Sequence, residues 1–206
     1  MTTNRAALIL LTCLISSRGH ADVFVRDDII THPSPDNFSV CYDHHCASLD
    51  NLSLPSQEWK SVRRLFARQS ANPAIERTQI AQAIARIEQI TGRQTGTSND
   101  KGGNLKGQGQ PGQMDCIDES INTTTYLYML EHAGLMRWHT VEDRATRGWF
   151  FRGWPHTTAV IRDKRSGQLY AVDSWFLDNG KPPFILPLEK WKDGWDPEDA
   201  VAGVAN

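Results

Sequence analysis

The sequence predicts an α+β fold, with helices first and an antiparallel sheet after them. Apolar residues recur at helical spacing in three stretches between residues 56 and 132, and beyond them they fall into short runs separated by turn sequences. A further observation bounds size and class: 206 residues, 39% hydrophobic and 22% charged, suffice for one core and not for two full domains. The 22 Lys and Arg against 24 Asp and Glu give a net charge of −2, without the cationic excess expected of a nucleic-acid binder.

Residues 1–21 read as a secretory signal peptide. Arg5 supplies the positive end, residues 6–15 are apolar, and Gly19-His20-Ala21 puts small residues at −3 and −1 of a cleavage site. That run is shorter than the roughly 20 apolar residues a spanning helix needs. No later segment reaches that length, so no membrane span is expected. A periplasmic or secreted location follows. Removing the peptide takes Cys13 away and leaves Cys41, Cys46 and Cys116, an odd number in an oxidising compartment. Residues 22–206 are expected to form one domain, with a helical half (22–94), a Gly-rich loop (95–113) and a core that carries the chemistry (114–190).

Residues 22–54 look irregular, with Pro33 and Pro35 inside and Pro55 just beyond. They hold Cys41-Tyr-Asp-His-His-Cys46, read as a local disulfide that leaves Cys116 as the free thiol. A zinc site from Cys41, His44, His45 and Cys46 is the alternative, but such sites usually bring their ligands as two separated pairs. Over residues 56–70, Trp59, Val62, Leu65 and Phe66 share a stripe, which predicts an amphipathic helix. Asn72-Pro73 then supplies an N-cap and a first-turn proline, and Ile80, Ala83, Ile84, Ile87 and Ile90 continue the stripe to a stop at Gly92. Two such helices in succession predict an antiparallel hairpin.

Residues 95–113 contain six glycines and almost nothing apolar, which predicts a mobile linker, or a flap given its place just before Cys116. A third helix is expected over 115–132, ended by Gly134. Strands are expected over 137–141, 148–152, 156–162, 168–177 and 184–188, with Asp163-Lys-Arg-Ser-Gly167 and Asp178-Asn-Gly180 as turns.

Cys116 falls in the first turn of the third helix, where unpaired N–H groups and the helix dipole favour a thiolate. Asp115, Asp118 and Glu119 oppose that, so an imidazolium is needed beside it. His156, after Trp154-Pro155 at a strand start, is the candidate; His132, at the far end of the cysteine's own helix, lies about 24 Å away. Asp173 interrupts the apolar run Leu169-Tyr-Ala-Val172, where a buried carboxylate requires a partner. A four-residue loop at 163–166 would pair Arg162 with Gly167 and set His156 directly across from Asp173.

Asp115-Cys116, the helix after it, Trp154-Pro155-His156 and Tyr170-Ala-Val-Asp173 together resemble the transglutaminase-like superfamily of papain-type cysteine enzymes, most closely its bacterial cysteine-proteinase-like branch. The likeness spans about residues 113–179, and the helical first half lies outside it. Related murein-peptide hydrolases usually follow Asp-Cys with Ser-Gly, where this chain has Ile117-Asp118. The resemblance implies a papain-like fold and a Cys116 nucleophile, with His156 as proton carrier and Asp173 as its orienting group. It implies an oxyanion held by the Cys116 N–H and a second donor, Gln113 or Gln110, and an acyl-enzyme thioester resolved by water or an amine. Trp154 and Trp175, with Trp149, are candidates for the cleft wall. The implied substrate is a peptide or protein, cell-wall peptide included, with no cofactor. The alternative is a non-catalytic module that holds a peptide or glycan on the same fold.

Overall fold

The computed structural model describes residues 26–104, 107, 109–148 and 155–197. The signal-peptide reading of 1–21 and most of the strand expected at 148–152 lie outside these residues. In chain order the elements are β1 (Phe38–Tyr42), β2 (Ser48–Leu52), α1 (Ser56–Arg64), α2 (Pro73–Thr95), a 3-10 turn (Thr97–Asn99) and α3 (Cys116–His132). Then follow β3 (His139–Arg147), β4 (His156–Asp163), β5 (Leu169–Asp173), β6 (Phe184–Pro187) and α4 (Leu188–Lys192). This is an α+β architecture: β1 and β2 form a small antiparallel ribbon, and β3-β4-β5-β6 form an antiparallel sheet in sequence order. Among the described residues, no helix is long and apolar enough to cross a membrane.

The helix signals read from the sequence act as expected at their starts. Asn72 accepts a hydrogen bond from the Ile75 N–H with Pro73 in the first turn, and α2 runs past Gly92 to Thr95, ending where Gly96 adopts φ +82°. Gly92 is no stop because it stays helical, and the left-handed position that halts the helix falls at Gly96. Its stripe of Ile80, Ile84, Ile87 and Ile90 is buried against Tyr126, Leu127, Met129 and Leu130 of α3 and Ala159, Ile161 and Val172 of the sheet.

Burial on both faces makes β4 the spine of the molecule. Ala159 and Ile161 face the α2–α3 core, whereas Val160 faces a second cluster with Ala171, Leu188, Trp191 and Trp195. By the period of two, His156 and Thr158 share the Val160 side, and Asp173 shares it with Ala171.

Three expectations are corrected. Residues 38–52 are not irregular: an apolar alternation at Phe38 and Val40 is buried, and β1 pairs with β2 around the disulfide. The β4–β5 register differs from the one expected, with Arg162 opposite Leu169 and Ala159 opposite Val172. Asp163 stays in the ladder through its N–H to the Gln168 carbonyl, and the turn passes through Gly167 at φ +72°. Asp173 therefore lies diagonal to His156 rather than across from it, and because the shift is even both remain on one face. The linker expected over 95–113 is anchored where it is described: the Met114 N–H donates to Asp100 Oδ1, the Gly103 N–H to the Trp175 carbonyl and the Asp43 N–H to the Gln113 carbonyl. Backbone and side-chain hydrogen bonds, rather than apolar burial, hold it.

Candidate active site

The site is assembled at the N-terminus of α3. Asp115 is its N-cap, with its Oδ1 accepting the N–H groups of Ile117 and Asp118, while Asp118 reaches back to the Asp115 N–H in a capping box. Cys116 follows as the first helical residue, so its own N–H is among those with no intrahelical acceptor.

A covalent ring clamps this end of the helix. Cys41 and Cys46 form a disulfide, and Cys116 is the free cysteine among the described residues. Asp43, His44, His45 and Cys46 all have φ between +54° and +66°, a left-handed turn that side chains disfavour. Carboxylates of α3 hold it there: Asp118 accepts from the His44 and Cys46 N–H groups at 2.9 and 2.6 Å, and Asp115 from the His45 N–H at 3.0 Å. The zinc alternative loses its two thiolates to the disulfide. Of its histidines, His44 is buried with neither ring nitrogen bonded among the described residues, and exposed His45 sits 3.2 Å from Asp115.

Cys116 meets β4 where β5 has already left it. Its thiol donates towards the Pro155 carbonyl at 4.0 Å, and its sulfur accepts the Thr157 N–H. These contacts flank His156 on both sides, so the sulfur is moored to the two neighbours of the imidazole in the chain. His156 is buried and its Nε2 lies 2.7 Å from Asp173 Oδ2, while its Nδ1 has no hydrogen-bond partner among the described residues. The ring is enclosed by Trp175, Phe176 and Trp191 at centroid distances of 4.8, 5.2 and 5.4 Å. Asp173, 1% exposed, accepts three donors: His156 Nε2, Trp191 Nε1 at 2.6 Å and the Trp175 N–H at 3.2 Å.

Burial pushes the Cys116 thiol up to about 12, and the charges of Asp115 and Asp173 push the same way against the Thr157 N–H. A thiolate forms here only if its proton moves onto a neighbouring base instead of into water. The acids behind Cys116 press less than their number suggests. Burial raises Asp118 to about 7, with Asp115 adding to it, and lifts Glu119 well above the usual carboxylate range, with Glu88 and Asp100 adding to it.

The remaining sequence candidates divide. Gln113 is buried and its amide serves the loop: Oε1 accepts from the Lys101 N–H and Asn104 Nδ2, and Nε2 donates to the Asn99 carbonyl. Gln110 is exposed. Trp175 packs on His156, and its buried Nε1 is a donor without an acceptor among the described residues. Trp149 and Trp154 lie outside the described residues. Sequence reasoning missed Trp191, which reaches Asp173 from α4, and Arg147, which donates to the Trp191 and Trp195 carbonyls and lies 4.5 Å over the Trp191 ring. No local pattern announces these contacts; the only hint was the Trp191–Trp195 spacing of one helical turn. No protein-family model, curated protein or solved structure gives a significant match to this chain.

Proposed function

We infer that this chain is a thiol-dependent peptidase, amidase or acyl transferase of transglutaminase-like, papain-type design, working on a peptide or protein carbonyl outside the cytoplasm. One observation carries the reading: His156 bonds Asp173 through Nε2 and leaves Nδ1 without a hydrogen-bond partner among the described residues, while the free thiol of Cys116 is moored to the backbone of Pro155 and Thr157 on either side of the histidine. A Cys–His pair needs one ring nitrogen held by a carboxylate, which stabilises the imidazolium that forms, and the other left for the thiol.

Each step of the reaction uses groups of this chain. The Cys116 proton passes to His156 Nδ1 as the sulfur attacks the carbonyl carbon, and the new oxyanion takes the Cys116 N–H. Trp175 Nε1, the unpartnered donor against the imidazole, replaces Gln113 as the second oxyanion donor. The imidazolium then gives its proton to the departing amine, leaving a thioester. Water releases an acid, or a second amine forms a new amide, each first giving up a proton to His156. The Cys41–Cys46 disulfide fits the periplasmic or secreted location.

Iodoacetamide labelling at pH 6–7 tests this. Cys116 should react in minutes, and His156→Ala should slow it by about a hundredfold, since a thiol near its raised value is almost wholly protonated at that pH. Equal, slow labelling of both proteins overturns the enzyme and favours a non-catalytic module that keeps the site only as a peptide- or glycan-binding cleft.

A further inference from the structure

Behind the imidazole lies a second layer that the proposed chemistry has not used. Trp191 is fully buried in α4, a helix of five residues that follows Pro187 at the end of β6. Its Nε1 donates to Asp173 Oδ2 at 2.6 Å, the same oxygen that receives His156 Nε2 at 2.7 Å, and its ring lies 5.4 Å from the imidazole. Trp191 is held in turn by Arg147, whose Nη1 donates to the Trp191 carbonyl and to the Trp195 carbonyl at 2.7 Å, with the guanidinium over the indole. Arg147 stands opposite His156 in the β3–β4 ladder, so the anchor and the imidazole belong to one register pair.

We propose that Trp191 is a positioning residue of this site: its indole N–H shares Asp173 Oδ2 with the imidazole and so sets how strongly the carboxylate holds the protonated ring. The inference rests on the Cys116–His156–Asp173 reading and adds to it a residue that touches neither the thiol nor a substrate carbonyl. Two donors on one oxygen divide its negative charge. A carboxylate that already has a neutral donor attracts an imidazolium less than a bare one does. The indole cannot be exchanged for water here, because Asp173 and Trp191 are both buried. The remaining oxygen, Oδ1, takes the Trp175 N–H, so the carboxylate stays oriented if the indole donor is removed. The electronic effect can then be seen alone.

Other charged groups act on this assembly and would stay constant in the test. Cys116 and Asp115 approach from α3, and Arg147 acts on Asp173 from β3 while itself feeling Asp196 beyond α4. Glu119 of α3 bonds Ser174, the residue after Asp173.

The titration of His156, followed by NMR of its ring protons, tests the proposal. Cys116→Ser, used as background, removes coupling to the thiol. Trp191→Phe keeps a ring against His156 and under Arg147 but deletes the donor. Its His156 midpoint should rise by about half a pH unit or more. An unchanged or lower midpoint overturns the proposal. If Trp191→Phe does not fold, the Trp191 Nε1–H resonance in the otherwise unaltered protein decides: it should lie downfield of ordinary indoles and move upfield in Asp173→Asn. A resonance that does not respond to Asp173→Asn overturns the proposal equally. Failure of the enzyme reading has a different signature, since His156→Ala would then leave Cys116 labelling unchanged whatever Trp191 does.

Discussion

Asp173 is the residue on which three donors converge, and its charge, more than its shape, is what they share. Asp173→Asn keeps the volume and one acceptor oxygen but removes the anion that stabilises an imidazolium. The expected result is a fall of about tenfold or more in the iodoacetamide rate of Cys116 at pH 6, with the fold retained by circular dichroism. An unaltered rate would show that the carboxylate only fills space. At this scale the sequence was informative about residue type and poor about partners. A cysteine at a helix start, a histidine at a strand start and an acid inside an apolar strand could each be seen. Trp191 could not, because its bond to Asp173 spans 18 residues and depends on a helix too short to leave a periodic signal. Gln113 shows how little nearness in the chain says about partners. Its nearness to Cys116 in the chain suggested a role at the sulfur, and its amide is committed to Lys101, Asn104 and Asn99.

Among the elements, α3 depends on a contact far away in sequence. The Asp118 carboxylate receives the N–H groups of His44, Cys46 and Asp115, three buried or half-buried donors that have no substitute if it is lost. Asp118→Ala is expected to cost about 3 kcal/mol, measured by urea unfolding, because unpaired buried donors cost about 1–3 kcal/mol each. A loss below about 1 kcal/mol would mean that the turn rehydrates freely. The disulfide was legible from the closeness of Cys41 and Cys46 in the chain, but the ribbon around it was not. Ser48–Leu52 is poor in β-formers, and four consecutive left-handed residues between the strands match no ordinary hairpin turn. Helix α2 was legible because its start signal, Asn72 with Pro73, is local, and α3 from its apolar spacing and Gly134; the Asp115–Asp118 capping box, equally local, was not read. The β4–β5 register was missed by two residues because Asp163 stays in the ladder, and turn composition alone does not locate the last pair.

For the whole molecule, buried acids set the response to pH. Burial lifts Glu88 to about 8, with Asp100 adding to it against the Gly180 N–H; burial likewise lifts Asp100 and Asp118 to about 7. The folded chain thus holds protons that the unfolded chain releases near pH 4, so unfolding becomes easier as pH rises from about 4 to 8. Glu76 acts in the opposite sense. Burial alone would raise it, but His139, the Trp138 and Arg137 N–H groups and Ser70 outweigh burial and hold it low, so its contribution is lost as pH falls below about 4. The melting temperature should peak near pH 4–5 and fall by about 5 °C or more by pH 8. Calorimetry across that range checks it, and a higher melting temperature at pH 8 would refute the assignment of those protons.

The two-sided burial of β4 has a consequence for how this protein can change. Its helical core touches alternate residues, Ala159 and Ile161, while His156 and Asp173 look the other way towards Trp191. Mutational drift on the outer layer, at positions such as Ala145 or Leu186, can shift the surroundings of the His156–Asp173 pair while the fold's foundation stays untouched. Selection, or a designer, has a separate handle for each.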